Sequence, residues 1–254
     1  MIVNGYDPKL TISGGSNTNY LCILGHPELG DVNIGYNSFA FGEDNIASER
    51  GAVSFGRKNK SVGQYAFTEG YLNIANYGSH AEGHQNEASG ITSHAEGREG
   101  KASGYASHSE GARNEAKGSC SHAEGVDNIA SGPNSHASGS FTRAIGGNSY
   151  TEGSQTSATG ANAHIEGAST NKYDEEVNGQ TDLAGLKAAW NAAKFARAHG
   201  KQSHVEGSDG IAFGNSSHVE GVRNMAEKDG AHAEGIETIA AGAFSHVEGR
   251  GTKA

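Results

Sequence analysis

The chain has little of what normally builds a core. Leucine, isoleucine, valine and phenylalanine number 7, 13, 10 and 8, about 15% of the 254 residues. A charged chain with less than roughly 20% of these residues usually stays disordered. Proline occurs three times, and the 39 glycines follow no three-residue period, which excludes a collagen-type triple helix. No apolar run reaches the roughly 18 residues of a membrane-spanning helix. The opening, MIVNGYDPKL, has neither the basic nor the apolar region of a secretory signal, so none is expected. Cations are also few, with 19 Lys and Arg against 29 Asp and Glu for a net charge of −10. With no basic cluster to offset that charge, nucleic acid and anionic lipid are disfavoured as partners. Cys22 and Cys120 fit no zinc or redox spacing, and a disulfide between them within one chain is not expected.

What the chain does have is order along its length. The word Ser-His-Ala-Glu-Gly recurs with small changes, ending at Gly42, Gly56, Gly70, Gly83, Gly97, Gly111, Gly125, Gly139, Gly153, Gly167, Gly207, Gly221, Gly235 and Gly249. The step is 14 residues except for 13 between Gly70 and Gly83 and 40 between Gly167 and Gly207, where 40 − 14 = 26 residues are inserted. Five residues after each Gly stands a second small residue, such as Ala47, Ser61, Ala75 and Ala88, usually followed two later by another Gly. Asn is frequent three after the first Gly, at Asn45, Asn59, Asn73, Asn86, Asn114, Asn128 and Asn224. Asn and Gly tolerate the left-handed backbone of tight turns. The unit therefore predicts strand, turn, strand, turn, with about five residues per strand.

Alternation along a strand sorts the word into two faces. Ser, Ala and Gly share one face, and because those positions stay small, that face belongs in the tight interior. The other face points out. Its first position carries Phe39, Val53, Phe67, His80, His94, His108, His122, His136, Tyr150, His164, His204, His218, His232 and His246. Its second carries Phe41, Phe55, Glu69, Glu82, Glu96, Glu110, Glu124, Ser138, Glu152, Glu166, Glu206, Glu220, Glu234 and Glu248. Four Phe and one Val on the first three rungs form a stripe that water rarely tolerates. Burial against copies of the same stripe about a symmetry axis is the simplest expectation. The remaining rows then form a His–Glu ladder along an inter-chain seam, in which hydrogen-bonded pairs satisfy buried polar groups and fix register. If these histidines gain protons from Glu, their pKa values rise on folding, and that stabilisation is lost as pH climbs through the folded value.

The 14-residue unit, with its x-x-Asn-x-Ala-x-Gly second half, resembles the head repeat of YadA-type trimeric adhesins. Asn37-Ser38-Phe39-Ala40-Phe41-Gly42 is similar to that family's Asn-Ser-Val-Ala-Ile-Gly word. The resemblance covers about Val32 to Gly249 apart from the insertion. It implies an all-β fold: a left-handed parallel β-roll solenoid with 14-residue coils, three rolls in register as a homotrimer, and the Val and Ile positions on the trimer axis. Here those positions are mostly His and Glu. The Ser-His-Ala-Glu-Gly variant also resembles repeats of phage and prophage tail-fibre proteins. The implied role is a structural, receptor-binding component of a tail fibre or tail spike, carried on the virion and engaging a cell-surface receptor or glycan. The head of a bacterial surface adhesin is the alternative. A glycan-degrading tailspike is a third reading, and it needs a carboxylate pair in an inter-chain groove.

Residues 1–30 depart from the repeat and are expected to form an N-terminal cap or attachment segment, with short strands around Thr11–Gly15 and Leu21–Leu24. Residues 31–254 form the roll, interrupted by an insertion at about 168–195. There Leu183, Leu186, Trp190 and Ala193 recur at helical spacing, which predicts one short helix. Tyr173 and Trp190 are candidates for recognition, although an amphipathic helix usually uses such a face for packing. Histidine and carboxylate in abundance invite a metal reading, but a metal site is singular and this pattern is serial. No distinct acid, base or nucleophile stands out, so neither catalysis nor a cofactor is expected.

Overall fold

In the computed structural model the described residues are 19–23, 35–169, 184, 185, 188 and 196–254. The fold is all-β: a parallel β-solenoid of about 14 turns with almost no helix. It divides into two units, Met1–Lys117 and Gly118–Ala254.

In the first unit, six five-residue strands begin with Phe39–Glu43, continue through Val53–Arg57, Phe67–Tyr71, His80–His84 and His94–Arg98, and end with His108–Ala112. They pair in parallel with like residue on like residue, as in His80 beside His94, Glu82 beside Glu96 and Gly83 beside Gly97. The 13-residue step leaves this register intact, because Phe67 still faces His80 and Gly70 still faces Gly83. The strand Asn19–Ile23 pairs antiparallel with Phe39–Glu43 and occupies the edge of the first rung.

The second unit repeats the pattern from His122–Val126 to His246–Arg250. Its register also survives the insertion. His164–Ala168 pairs directly with His204–Ser208, and Thr156–Ala158 pairs with Ala196–Ala198. The repeat is therefore interrupted after one long strand and resumes at the next short strand. Ala184, Gly185 and Ala188 are helical. Tyr173, Leu183, Leu186, Trp190 and Ala193 lie outside the described residues.

The core is a stack of small side chains. Ala81, Ala95, Ala123 and Ala137 on the long strands and Ala75, Ala88, Ala102 and Ala130 on the short ones are fully buried. In the second unit the same interior widens to Ile165, Val205 and Val219. At Ser54, Ser61 and Thr68 hydroxyls replace alanine and pair with each other. Ser61 Oγ and Thr68 Oγ1 are 2.8 Å apart, and Thr68 Oγ1 donates to Ser54 Oγ at 2.9 Å. Backbone ladders and close stacking thus hold a fold that its apolar content alone does not explain.

Two details of the expected unit are corrected. The second strand of each coil has two or three residues, as in Ile74–Ala75 and Thr156–Ala158, not about five. Left-handed residues bracket it on both sides, as Leu72 and Gly78 do around Ile74–Ala75. The Asn row is also not the left-handed position. The residue before it takes that conformation, with φ of 56° at Lys58, 58° at Leu72 and 58° at Gln85. Asn59, Asn73 and Asn86 are instead buried ladders. Asn59 Nδ2 donates to Phe55 O at 2.6 Å and Gly70 O at 2.7 Å, and its Oδ1 accepts the Asn73 N–H at 2.8 Å. One amide thereby satisfies three backbone groups at a corner that has no other donor to spare.

A β-branched residue sits at one of the left-handed corners: Thr92, with φ 55°. Thr92→Gly relieves backbone strain of about 1–2 kcal/mol, offset in part by glycine's extra entropy in the unfolded chain, about 0.4–1 kcal/mol. A net gain of about 0.5–1 kcal/mol is expected, read as a higher urea midpoint with an unchanged slope.

Candidate functional site

The outward face of the long strands is built as the alternation requires. Within each unit, the rungs from Phe67 on add one ring and, except at Ser138, one carboxylate, in register with the rung before. In the first unit the rings change from Phe to His. Phe39 and Phe55 centroids lie 5.3 Å apart, Phe55 and Phe67 6.0 Å, and Phe67 meets His80 edge-on at 4.7 Å. His80, His94 and His108 then stack at 4.7 and 4.8 Å with planes within 5°. Phe41 is 51% exposed, while Phe39, Phe55 and Phe67 are half-buried. In the second unit His122 and His136 stack at 4.8 Å, and Tyr150 sits edge-on between His136 and His164. From His164 through His204, His218 and His232 to His246 the rings stack at 4.6–4.9 Å.

The carboxylates interleave with this column but seldom complete it. His94 Nε2 lies 4.0 Å from Glu82 and 3.8 Å from Glu96, both beyond hydrogen-bond reach. His136 Nε2 lies 3.2 Å from Glu124 Oε1 in hydrogen-bond geometry, and His164 Nε2 lies 3.2 Å from Glu166 Oε1 without it. Nε2 of His80 and His94 in the first unit, and of His164, His204, His218 and His232 in the second, is buried without a hydrogen-bond partner among the described residues. Buried ring nitrogens left this way are costly and call for a partner.

Electrostatics run opposite to the proton-sharing expectation. Burial lowers the pKa of His94, His204, His218 and His232, and the positive charge of neighbouring histidines adds to the effect, outweighing the nearby glutamates. Stacked rings exclude water and repel each other's protons, and the glutamates stand too far off to compensate. Glu96 is pushed up by burial, by a hydrogen bond with Glu82 and by the charges of Glu110 and Glu82. Glu124 is pushed up by burial, but hydrogen bonds from Ser138 and His136 and the charges of His122 and His136 outweigh this and lower it. Tyr150 is raised to about 12, first by its hydrogen bond to Glu152 at 2.8 Å and then by burial.

Metal ligands lie close together on this face. The sets His94–Glu96–His108, His218–Glu220–His232 and His232–Glu234–His246 each bring three ligand atoms within 4.8 Å. The rings, however, lie in nearly parallel planes, 3° apart for His94 and His108 and 9° for His218 and His232. In-plane lone pairs of stacked rings run side by side and cannot meet at one ion unless a ring turns. The arrangement is suited to receiving donors or acceptors from outside the chain, one per rung. Cys120 is exposed and free.

Comparison with protein-family models and with curated proteins gives no match to this chain.

Proposed function

We propose that this chain is a structural, non-catalytic fibre component that assembles as a homotrimer of left-handed rolls, with the Phe and His–Glu face as the inter-chain seam. The observation that carries this reading is made on the outward side of the long strands: the first unit exposes Phe41 there, and in the two units six buried Nε2 atoms have no hydrogen-bond partner among the described residues. Packing against like faces covers the rings and brings a carboxylate of another chain to each nitrogen. The repeat's resemblance to tail-fibre and adhesin-head repeats supports a role in attachment, on a phage or prophage tail fibre or spike, with a cell-surface receptor or glycan as partner. The same resemblance keeps a bacterial surface adhesin head as the second reading.

Light scattering on a sizing column tests the seam, with a mass of 3 × 26.1 = 78.3 kDa expected and 26.1 kDa overturning it. Glu96→Gln with Glu110→Gln sharpens the test. In a lone chain the pair removes repulsion along the Glu row and raises the melting point. In the seam it removes acceptors from a partner's histidines, so weaker assembly and a lower melting point are expected.

A further inference from the structure

The turns that lead into the long strands of the first unit carry a row of exposed large side chains. Tyr36, Tyr65, Tyr77, Ile91 and Tyr105 stand there, each 49–57% exposed. Single exposed apolar residues need no explanation, but a contiguous row marks a binding surface. These turns flank the Phe and His–Glu face and contribute no residue to it.

Backbone hydrogen bonds from turn to turn fix the row. Tyr65 N–H donates to Arg50 O at 2.9 Å, Gly78 N–H to Gln64 O at 2.8 Å, Thr92 N–H to Tyr77 O at 3.1 Å and Ala106 N–H to Ile91 O at 2.9 Å. Successive turns therefore stand about 4.8 Å apart. The side chains are carried on backbone that is ordered before any ligand arrives, which lowers the cost of binding. A Cβ at Gly51 would fall 2.8 Å from Tyr65 Cδ1, so that ring lies against the turn before it. Among the described residues no other ring contacts Tyr65, Tyr77 or Tyr105, and half of each faces water. At the two turn positions that carry the row, Arg50 is the one charged residue, and Asn37, Gln64 and Thr92 are polar. The next turns place Ser119, Pro133, Gly147 and Ala161 there, so the row ends with the first unit.

Tyrosine offers a flat apolar ring and a hydroxyl together, at small entropic cost. A pyranose ring is its counterpart, with a C–H face and a rim of hydroxyls. A row with a single charge gives no hold on a polyanion. It is also narrow for a protein partner. Half-exposed side chains of this size supply on the order of 100 Å² each, so five fall short of the about 800 Å² per partner of a stable protein interface. A single file repeating at the rung spacing suits a ligand that is itself a chain of like rings. We propose that this row binds a linear, extended, uncharged oligosaccharide, with sugar rings laid on Tyr65, Tyr77 and Tyr105 across successive rungs. The inference rests on the receptor-binding part of the proposed function and names its site and ligand class. The row lies within one chain, so failure of the seam reads out in the mass of the wild-type protein and failure of the row in binding.

The test is saturation-transfer NMR on the full chain, with chitohexaose and cellohexaose as extended probes and maltohexaose, coiled by its α-linkages, as the comparison. Transfer to the ring protons of the extended probes is expected, and much less to maltohexaose. Tyr77→Ser with Tyr105→Ser puts at both turns the residue type of Ser119 and should weaken binding at least ten-fold. Tyr77→Phe with Tyr105→Phe keeps the rings and should retain it. Absence of transfer from the wild-type protein to both extended probes overturns the proposal, whether or not the Ser pair folds. So does equal binding of maltohexaose, or binding unchanged in the Ser pair. A Ser pair whose mass on a sizing column falls below that of the wild-type protein makes the row a contact between chains, which also overturns it.

Discussion

Gly83→Ala is expected to cost about 4 kcal/mol or more, enough to leave little folded protein. Gly83 has φ +101°, and a Cβ there would lie 2.2 Å from Gly97 O on the next rung. The backbone conformation alone costs about 1–2 kcal/mol for a non-glycine residue. The clash adds more, because its partner is backbone held in a ladder and cannot rotate away. Relief requires pushing two rungs apart, which breaks their hydrogen bonds and opens the alanine stack between them. In a repeat fold each rung is stabilised chiefly by its neighbours, so a broken interface is felt on both sides. Gly78→Ala is the control. Its φ is +60°, and the nearest atom to a Cβ there would be Thr92 Cγ2 at 3.4 Å. There a loss of only about 1–2 kcal/mol is expected. Urea unfolding of both variants decides the matter, and equal losses would refute close rung stacking as the reason for glycine at 83.

For the single chain, acid is expected to destabilise the fold in the range just below pH 6.5. Folding lowers the pKa of His94, His199, His204, His218 and His232 from their usual 6.5. The unfolded chain therefore binds more protons in the window between the folded values and 6.5, and stability rises with pH across it. The contribution is complete above 6.5 and is lost as pH falls through the folded values. Glu96 acts in the opposite sense above its usual 4.5, because its raised pKa favours the protonated folded form. Glu124, lowered from 4.5, sides with the histidines in stronger acid. Five histidines against one glutamate set the net direction. Unfolding midpoints at pH 7.5, 6.0 and 5.0, at constant ionic strength, should fall in that order. Midpoints that rise toward pH 5 would show that the histidines are protonated in the assembly, and the sign worked out for the single chain would be reversed by its partners.

Much of this architecture was legible in the chain itself. A constant step, a row that never grows beyond small residues and a glycine closing each word determine the coil length, the inward face and the stacking of like on like. They also show where 26 inserted residues interrupt the repeat, because the word resumes at Ser203-His204-Val205-Glu206-Gly207. Period and size are properties of sequence, and in a one-dimensional stack they translate directly into register. The role of Asn59 and its equivalents was not legible. Asn suits a left-handed turn and a buried ladder equally well, and only the packed corner shows which carbonyls need its amide. The histidine shifts likewise depend on distances that no spacing encodes. Rings 4.7 Å apart exclude water and repel each other's charge, while Nε2 stands about 3.8 Å from its carboxylate. The contact of His199 with Phe213 is not marked in the sequence either, where that column holds residues as different as Lys117, Ser131, Ile145 and Thr159. Only the tertiary structure brings Thr159, His199 and Phe213, 40 and 14 apart in sequence, onto adjacent rungs, because backbone stacking sets what stands beside what.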